Sequence, residues 1–280
     1  MSVPLSYKEI RDTVERYLTR CSNVQGWHID ASQNAEPDKI NCFPFASQAG
    51  TGFHLAYEDG KSGLNVRCSL SNCFHSITQF LPVVKYSTKV NSILHKVCFD
   101  APTATLKYNL EHEVFTASAV ARLSDGGAGI YAVSTRIAEN AYAGVAADYC
   151  PKRSGLRDLT LMATQLACPN FKRGDIVARY SLLSGLGIHL RVPVSNLVDV
   201  AVISENNRFI VGCQGRSPCG ASISVNTNIS DGTGTITAIR NVKDIWKLTL
   251  TCTAPLVSCS PCAPRFGVKF TNQDVDPEDV

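Results

Sequence analysis

From about residue 100 the chain is a succession of short segments rich in Val, Ile, Thr and aromatic residues, each bounded by Gly, Asn, Asp or Pro. Residues 106–110, 114–123, 129–133, 175–183, 187–194, 198–203, 209–213, 221–225, 234–239 and 246–252 all fit this description. Branched and flat side chains suit a pleated surface, and Gly and Asn suit the turns between strands. Strands at this spacing, with few helices between them, predict an antiparallel β-sandwich or barrel over residues 100–270. The Gly-rich stretches 125–129 and 231–234 lack the Lys-Ser/Thr ending of a phosphate loop and read as hairpin turns. Residues 155–167 read as one helix lying on the sheet.

The first hundred residues have a different texture. Ser6 followed by Glu9 is a capping-box pattern, and Ile10, Val14, Tyr17 and Leu18 share one face of a helix over residues 6–20. Lys8, Arg11 and Glu15 take the opposite face, and Asn23 and Gly26 mark the end. After a turn-rich stretch, residues 53–57 and 64–68 read as two strands joined by the loop 58–63. Residues 74–81 read as a short helix stopped by Pro82, and 83–98 fit helix or strand equally. The expected fold class is therefore α+β. A helix and zinc-ribbon-like hairpin module (1–99) precedes the antiparallel β domain (100–270), with an acidic, disordered tail at 271–280.

Hydrophobic residues make up 44% of the 280, which excludes a disordered chain. No apolar run approaches the roughly 18 residues that a membrane helix needs, so no membrane span is expected. Lys plus Arg is 27 against 24 acids, for a net charge of +3. Four of those acids (Asp274, Asp276, Glu278 and Asp279) lie in the tail, so the body is four charges more basic than the whole. A basic body is compatible with phosphate contact. The 12 cysteines are irregularly spaced and follow no apolar leader. Free thiols or metal ligands in a reducing, intracellular compartment, cytoplasmic or nuclear and not secreted, are therefore expected.

One segment carries metal-ligand types in a ribbon-like order. It runs from Cys42-Phe-Pro-Phe45 through the hairpin to Cys68, then Cys73-Phe-His75, and ends on the short helix. Four soft or imidazole donors on two knuckles would converge tetrahedrally on zinc. Residues 42–81 resemble the zinc-binding domain of bacterial and phage DNA primases. That resemblance implies a structural zinc held by Cys42, Cys68 and Cys73, with a fourth ligand from His28, His54 or His75. His75, just after Cys73, is the favoured choice. The sequence departs from the family in having Phe45 where a histidine stands and four residues between Cys68 and Cys73. Nearby Lys61, Arg67, Lys85 and Lys89 would meet nucleic-acid phosphates, and Phe53, Tyr57, Phe74 and Tyr86 could stack bases. No clustered-carboxylate pattern of a primase catalytic domain follows residue 100. The same thiols also read simply as free packed cysteines.

Two further groups remain. Cys213, Cys219, Cys252, Cys259 and Cys262 include a two-residue-spaced pair, which reads by default as unligated thiols. Ser217-Pro-Cys219-Gly-Ala-Ser222 resembles the nucleophile loop of picornavirus-type chymotrypsin-like cysteine proteases. That resemblance implies Cys219 as nucleophile, with His112 as base and Asp199 as the orienting acid. The leading expectation is a non-enzymatic nucleic-acid-binding or assembly protein, with protein partners or self-association. The texture also suits a viral structural or movement protein. The alternative is the cysteine protease.

Overall fold

The computed structural model describes residues 3–19, 24–153, 155–169, 173–218, 220–243, 245–256 and 263–272. Numbered in chain order, the elements begin with the helix α1 (Tyr7–Thr19) and strand β1 (Gly26–Asp30). There follow β2 (Ile40–Ser47), β3 (Thr51–Glu58), β4 (Leu64–Ser71), β5 (Val83–Val90), β6 (Ile93–Asp100) and β7 (Thr105–Glu111). Next come β8 (Phe115–Arg122), β9 (Ala128–Ala138), β10 (Ala141–Cys150), β11 (Gly155–Cys168), β12 (Gly174–Ser181) and β13 (Gly185–Pro193). The last six are β14 (Val198–Glu205), β15 (Arg208–Arg216), β16 (Ser222–Asn228), β17 (Thr233–Val242), β18 (Trp246–Pro255) and β19 (Arg265–Asn272). Two compact units share them. The first holds the chain before Arg11, β2–β10 and β11 through Ala163, and the second holds Arg11–Ala31, the rest of β11 and nearly all of β12–β19.

Local chemistry explains the elements. The Ser6 backbone N–H donates to Glu9 Oε2 at 2.7 Å and the Glu9 N–H to Ser6 Oγ at 3.3 Å, the reciprocal cap read from the sequence. Two-residue turns at Asn91-Ser92 and Asn206-Asn207 have positive φ at both positions, the geometry that matches strand twist in tight hairpins. Gly126 and Gly127, at φ 71° and 85°, turn the chain between β8 and β9, so the turn expected at 125–129 is made by residues up to Gly127, with 128 and 129 already in β9.

Among the described residues all nineteen strands belong to one sheet, and β1 pairs with both β2 and β19, so the hydrogen-bond ladder there has no free edge. Neighbours are antiparallel from β2 to β10 and from β13 to β19. An alternating sheet with an odd number of strands can close only through one parallel pair. β1–β19 is such a parallel pair, with Gly26 opposite Gly267 and Asp30 opposite Thr271.

Successive side chains point to opposite faces of a strand, and here the two faces differ sharply. On β16–β19, Ile223, Val225, Ile236, Leu250, Phe266 and Val268 are all exposed on one face. The opposite face carries Asn226, Thr235, Thr237, Thr249, Thr251 and Thr271, all buried. In the first unit, Phe53, Tyr57, Leu70, Tyr86, Phe99, Tyr131 and Val133 are exposed in the same alternation, against buried Thr105, Thr116 and Ser134. Among the described residues 42 large apolar side chains are exposed. Only 16 apolar residues are buried, six of them alanine, beside 18 buried polar or charged residues.

The expected α+β arrangement, a ribbon-like module ahead of a separate sandwich or barrel, is therefore overturned. The chain is nearly all β, and its sheet is a closed β-barrel by topology, not a sandwich. Residues 155–167 are strand β11, not a helix, and 83–98 are β5 and β6. The helix expected at 74–81 is a single 3-10 turn, Ile77–Phe80. Residues 53–57 and 64–68 do form a hairpin, β3–β4, with Leu55 opposite Cys68. Thr271 and Asn272 close β19, and the acidic tail beyond them lies outside the described residues.

Candidate functional site

Within the second unit, the C-terminal half of α1 is held on the polar face of β13–β16. Arg191 on β13 donates through Nη1 to the Tyr17 hydroxyl at 2.7 Å, and its guanidinium lies 4.6 Å from the Tyr17 ring centre. The same guanidinium donates through Nε to Asp175 on β12 at 2.6 Å and stands 3.6 Å from Asp199 on β14. Arg208 on β15 pairs with Glu15 at 3.0 Å, and Asn226 Nδ2 on β16 donates to the Leu18 carbonyl. Leu18 itself rests on Gly212, where an added Cβ would come within 2.6 Å of Leu18 Cδ2. Only glycine lets the helix approach the strand this closely.

The helix and this part of the wall match in polarity. Polar-face positions on β12, β14 and β15 are apolar here (Val177, Ala201, Ile203 and Ile210), and each is at most 3% exposed. Val14 and Leu18 of α1 are buried to the same degree. Burying an aliphatic side chain fully is worth about 1.5–3 kcal/mol, so this apolar seam supplies adhesion while the ion pairs set position. Beside it, Glu205 binds Arg179 at 2.5 Å and His189 Nε2 at 2.9 Å.

In the first unit, the carbonyl of Leu5 accepts from Ser134 Oγ at 2.7 Å and from Thr116 Oγ1 at 3.3 Å. The Tyr7 ring lies over Gly144, 3.2 Å from the site of a Cβ. The polar face of β4–β8 is basic. By register it carries Arg67, Lys85, Lys89, Lys96, Lys107 and Arg122 against Asp100 and Glu111, with Lys96 paired to Glu111 at 2.5 Å.

The proposed zinc ligands are not brought together. Cys42 on β2 and Cys68 on β4 both stand opposite Leu55 of the intervening β3, so both point to the apolar face. Two strand spacings separate them, about 10 Å, whereas sulfurs bound to one zinc lie within about 4 Å of each other. Cys73 Sγ contacts Ser71 Oγ at 2.9 Å, and the His75 backbone N–H is held by Gln79 Oε1 at 2.8 Å. His54 Nδ1 bonds Ser69 Oγ at 2.8 Å and its ring stacks on Phe45. His28 Nε2 lies 3.8 Å from Asp30. Among the described residues no group of three or more His, Cys, Asp or Glu is placed to hold a metal ion.

The nucleic-acid surface divides in the same way. Arg67 on β4 and Lys85 and Lys89 on β5 lie on the polar face, while Phe53 and Tyr57 on β3 and Tyr86 on β5 lie on the apolar face. Lys61 is in the β3–β4 turn, and Phe74 meets Phe80 edge-on in the β4–β5 connection. The expected cations and stacking rings thus lie on opposite sides of the sheet, not on one surface as the expectation places them. Of the protease set, Cys219 lies outside the described residues, as do Cys259 and Cys262. His112 Nδ1 accepts from the Val114 N–H at 3.3 Å in the β7–β8 turn. Asp199 faces Arg191 and Arg216, at 3.6 and 3.7 Å, not a histidine.

No family model and no curated protein matches the chain. The residues that sequence reasoning missed are Arg191, Asp175, Arg208, Gly212 and Asn226. Their signal is parity: charged or small residues at alternate positions inside otherwise apolar strands.

Proposed function

We propose that the chain is a membrane-spanning β-barrel that conducts small polar solutes along the polar face of its sheet, with α1 fixed against that face. The exposed apolar face carries this reading. Monomeric soluble proteins rarely expose contiguous apolar surface beyond a few hundred Å², whereas here strand after strand does so while threonines, asparagines and ion pairs are buried. A bilayer reverses the usual preference and makes an apolar exterior and polar interior the stable arrangement. It also requires every backbone group to be satisfied internally, and a ladder with no free edge does this. Among the described residues no helix is long and apolar enough to cross a membrane, so the crossing would be made by strands.

Closed sheets with this many strands are too wide for their own side chains to fill, which leaves a path for water and solutes. The excess of lysine and arginine on β4–β8 favours anions in that path. The test is reconstitution of the full chain into planar bilayers. Stepwise conductance, with a reversal potential displaced toward the anion equilibrium in a salt gradient, is the expected result. A chain that washes off membranes in alkaline carbonate and never raises bilayer conductance would refute the reading.

A further inference from the structure

The β4–β5 connection, residues 72–82, is unlike the tight turns elsewhere in the first unit. Ser76 caps the 3-10 turn Ile77–Phe80 in a complete capping box. Gln79 Oε1 accepts from the backbone N–H groups of both His75 and Ser76, at 2.8 and 3.1 Å. Phe74 and Phe80 meet edge-on at 5.2 Å, and Asn72 Oδ1 ties the base to the Thr51 N–H at 2.8 Å. The segment is thus ordered by its own contacts.

What it presents is apolar. Ile77 is 84% exposed, the highest value for any large apolar side chain among the described residues, with Phe80 at 40% and Leu81 at 41%. Residues 68–84 contain no Asp, Glu, Lys or Arg. Both stems continue the apolar face of the sheet, through exposed Leu70 on β4 and Tyr86 on β5.

We propose that this loop is a membrane-interface anchor that seats Ile77, Phe80 and Leu81 among lipid headgroups and upper acyl chains, resting on the membrane-spanning reading above. Three observations favour lipid over a protein partner. Charges, which supply specificity at protein interfaces, are missing from 68–84; the apolar stems make the loop continuous with surface already assigned to lipid; and the internal capping leaves no ordering cost on insertion. Aromatic and aliphatic side chains beside Ser, Thr and Gln suit the interfacial zone, where one side is apolar and the other wet.

The chain has two tryptophans, Trp27 and Trp246, which makes fluorescence a direct test. The full-length variant Trp27→Phe/Trp246→Phe/Ile77→Trp is reconstituted in vesicles containing lipids brominated near the carbonyl end of the acyl chain. The reporter at position 77 is expected to lose most of its emission to these lipids and to resist aqueous iodide. Phe80→Trp in the same background is expected to behave alike, which guards against a local defect from one substitution. Trp27, 46% exposed on the apolar face of β1, serves as reference in Trp246→Phe. Quenching of Trp27 by lipid, with the loop reporters quenched only by iodide, overturns the anchor and leaves the membrane reading standing. Failure of lipid to quench Trp27 as well overturns both.

Discussion

If α1 is fixed by Arg191, removing a single oxygen should loosen it measurably. Tyr17→Phe deletes the hydroxyl that accepts from Arg191 Nη1 at 2.7 Å but keeps the ring under the guanidinium, 4.6 Å from its centre. A hydrogen bond to a charged group contributes about 1.5–3 kcal/mol. With each 1.4 kcal/mol worth a factor of about ten, amides of residues 11–18 should exchange roughly ten- to a hundredfold faster in the variant. Strand amides of β16–β18 should not change, because no member of that ladder is touched.

Arg191→Met provides the partner measurement. It removes the Tyr17 bond and also strips Asp175, 8% exposed, of its 2.6 Å guanidinium, leaving the Ala167 N–H at 3.0 Å. The single variant should therefore also destabilise the wall. In the double variant, Tyr17→Phe should add almost nothing, since the hydroxyl it deletes has already lost its donor. A coupling of about 1.5–3 kcal/mol is expected from hydrogen exchange of the full chain in detergent micelles. Additive effects, or helix exchange unchanged in Tyr17→Phe, would show that α1 is held by something else.

Other expectations follow from the two faces. Val225→Arg, on the apolar face between Cys213 and Ile236, should cost about 2–4 kcal/mol in a bilayer and block insertion. On a water-facing surface the same change would stay within about 0.5 kcal/mol. Gly212→Ala should displace α1, since its Cβ would lie 2.6 Å from both Leu18 Cδ2 and the Val225 carbonyl; unchanged protection of α1 amides would contradict the close approach. Lys85→Glu with Lys107→Glu should move the reversal potential toward cations, and an unmoved potential would take the basic stretch out of the conduction path. In the β3–β4 turn, the Ser62 hydroxyl, then the Lys61 N–H, hold Asp59 below its ordinary carboxylate pKa. The unfolded chain binds this proton more readily, so the turn gains stability above the ordinary carboxylate range and loses it as pH falls through the depressed value. A carboxyl carbon titration of Asp59 at or above the ordinary value would contradict this.

Parts of this architecture were legible in the chain. The helix was readable because Ser6 and Glu9 cap it and Ile10, Val14 and Leu18 recur at helical spacing, and the structure buries those three residues. The strands from β12 to β18 were readable from their alternation and turn residues. Strand β11 was not, because Leu156, Leu159 and Met162 recur every third residue and fit a helix as well as a strand. The expected zinc-ligand set is not assembled, for a different reason. Cys42 and Cys68 share a face because small, weakly polar thiols are accepted among outward apolar residues, and spacing along the chain cannot separate that from ligation. The anchor of α1 was hidden because its partners, Arg191, Arg208 and Asn226, lie far along the chain and are joined to it only by closure of the sheet.

The same alternation serves a soluble sandwich and a membrane barrel, and the two differ only in which face water touches. In a sandwich, Ile223, Val225 and Ile236 would be core, and Asn226, Thr235 and Thr237 would be solvent-exposed. The structure reverses both sets. A second sheet could have covered the apolar face, but among the described residues all nineteen strands are used in one ladder and none is left to pack against it. An uncovered face of this extent is unstable in water at about 25 cal/mol per Å² of apolar surface. On the membrane-spanning reading proposed above, its counterpart is an apolar medium, and lipid is the one that also tolerates a closed, fully bonded backbone. The part-buried charges on the polar face, Asp175, Arg191, Asp199, Arg179 and Glu205, compensate one another by direct pairing.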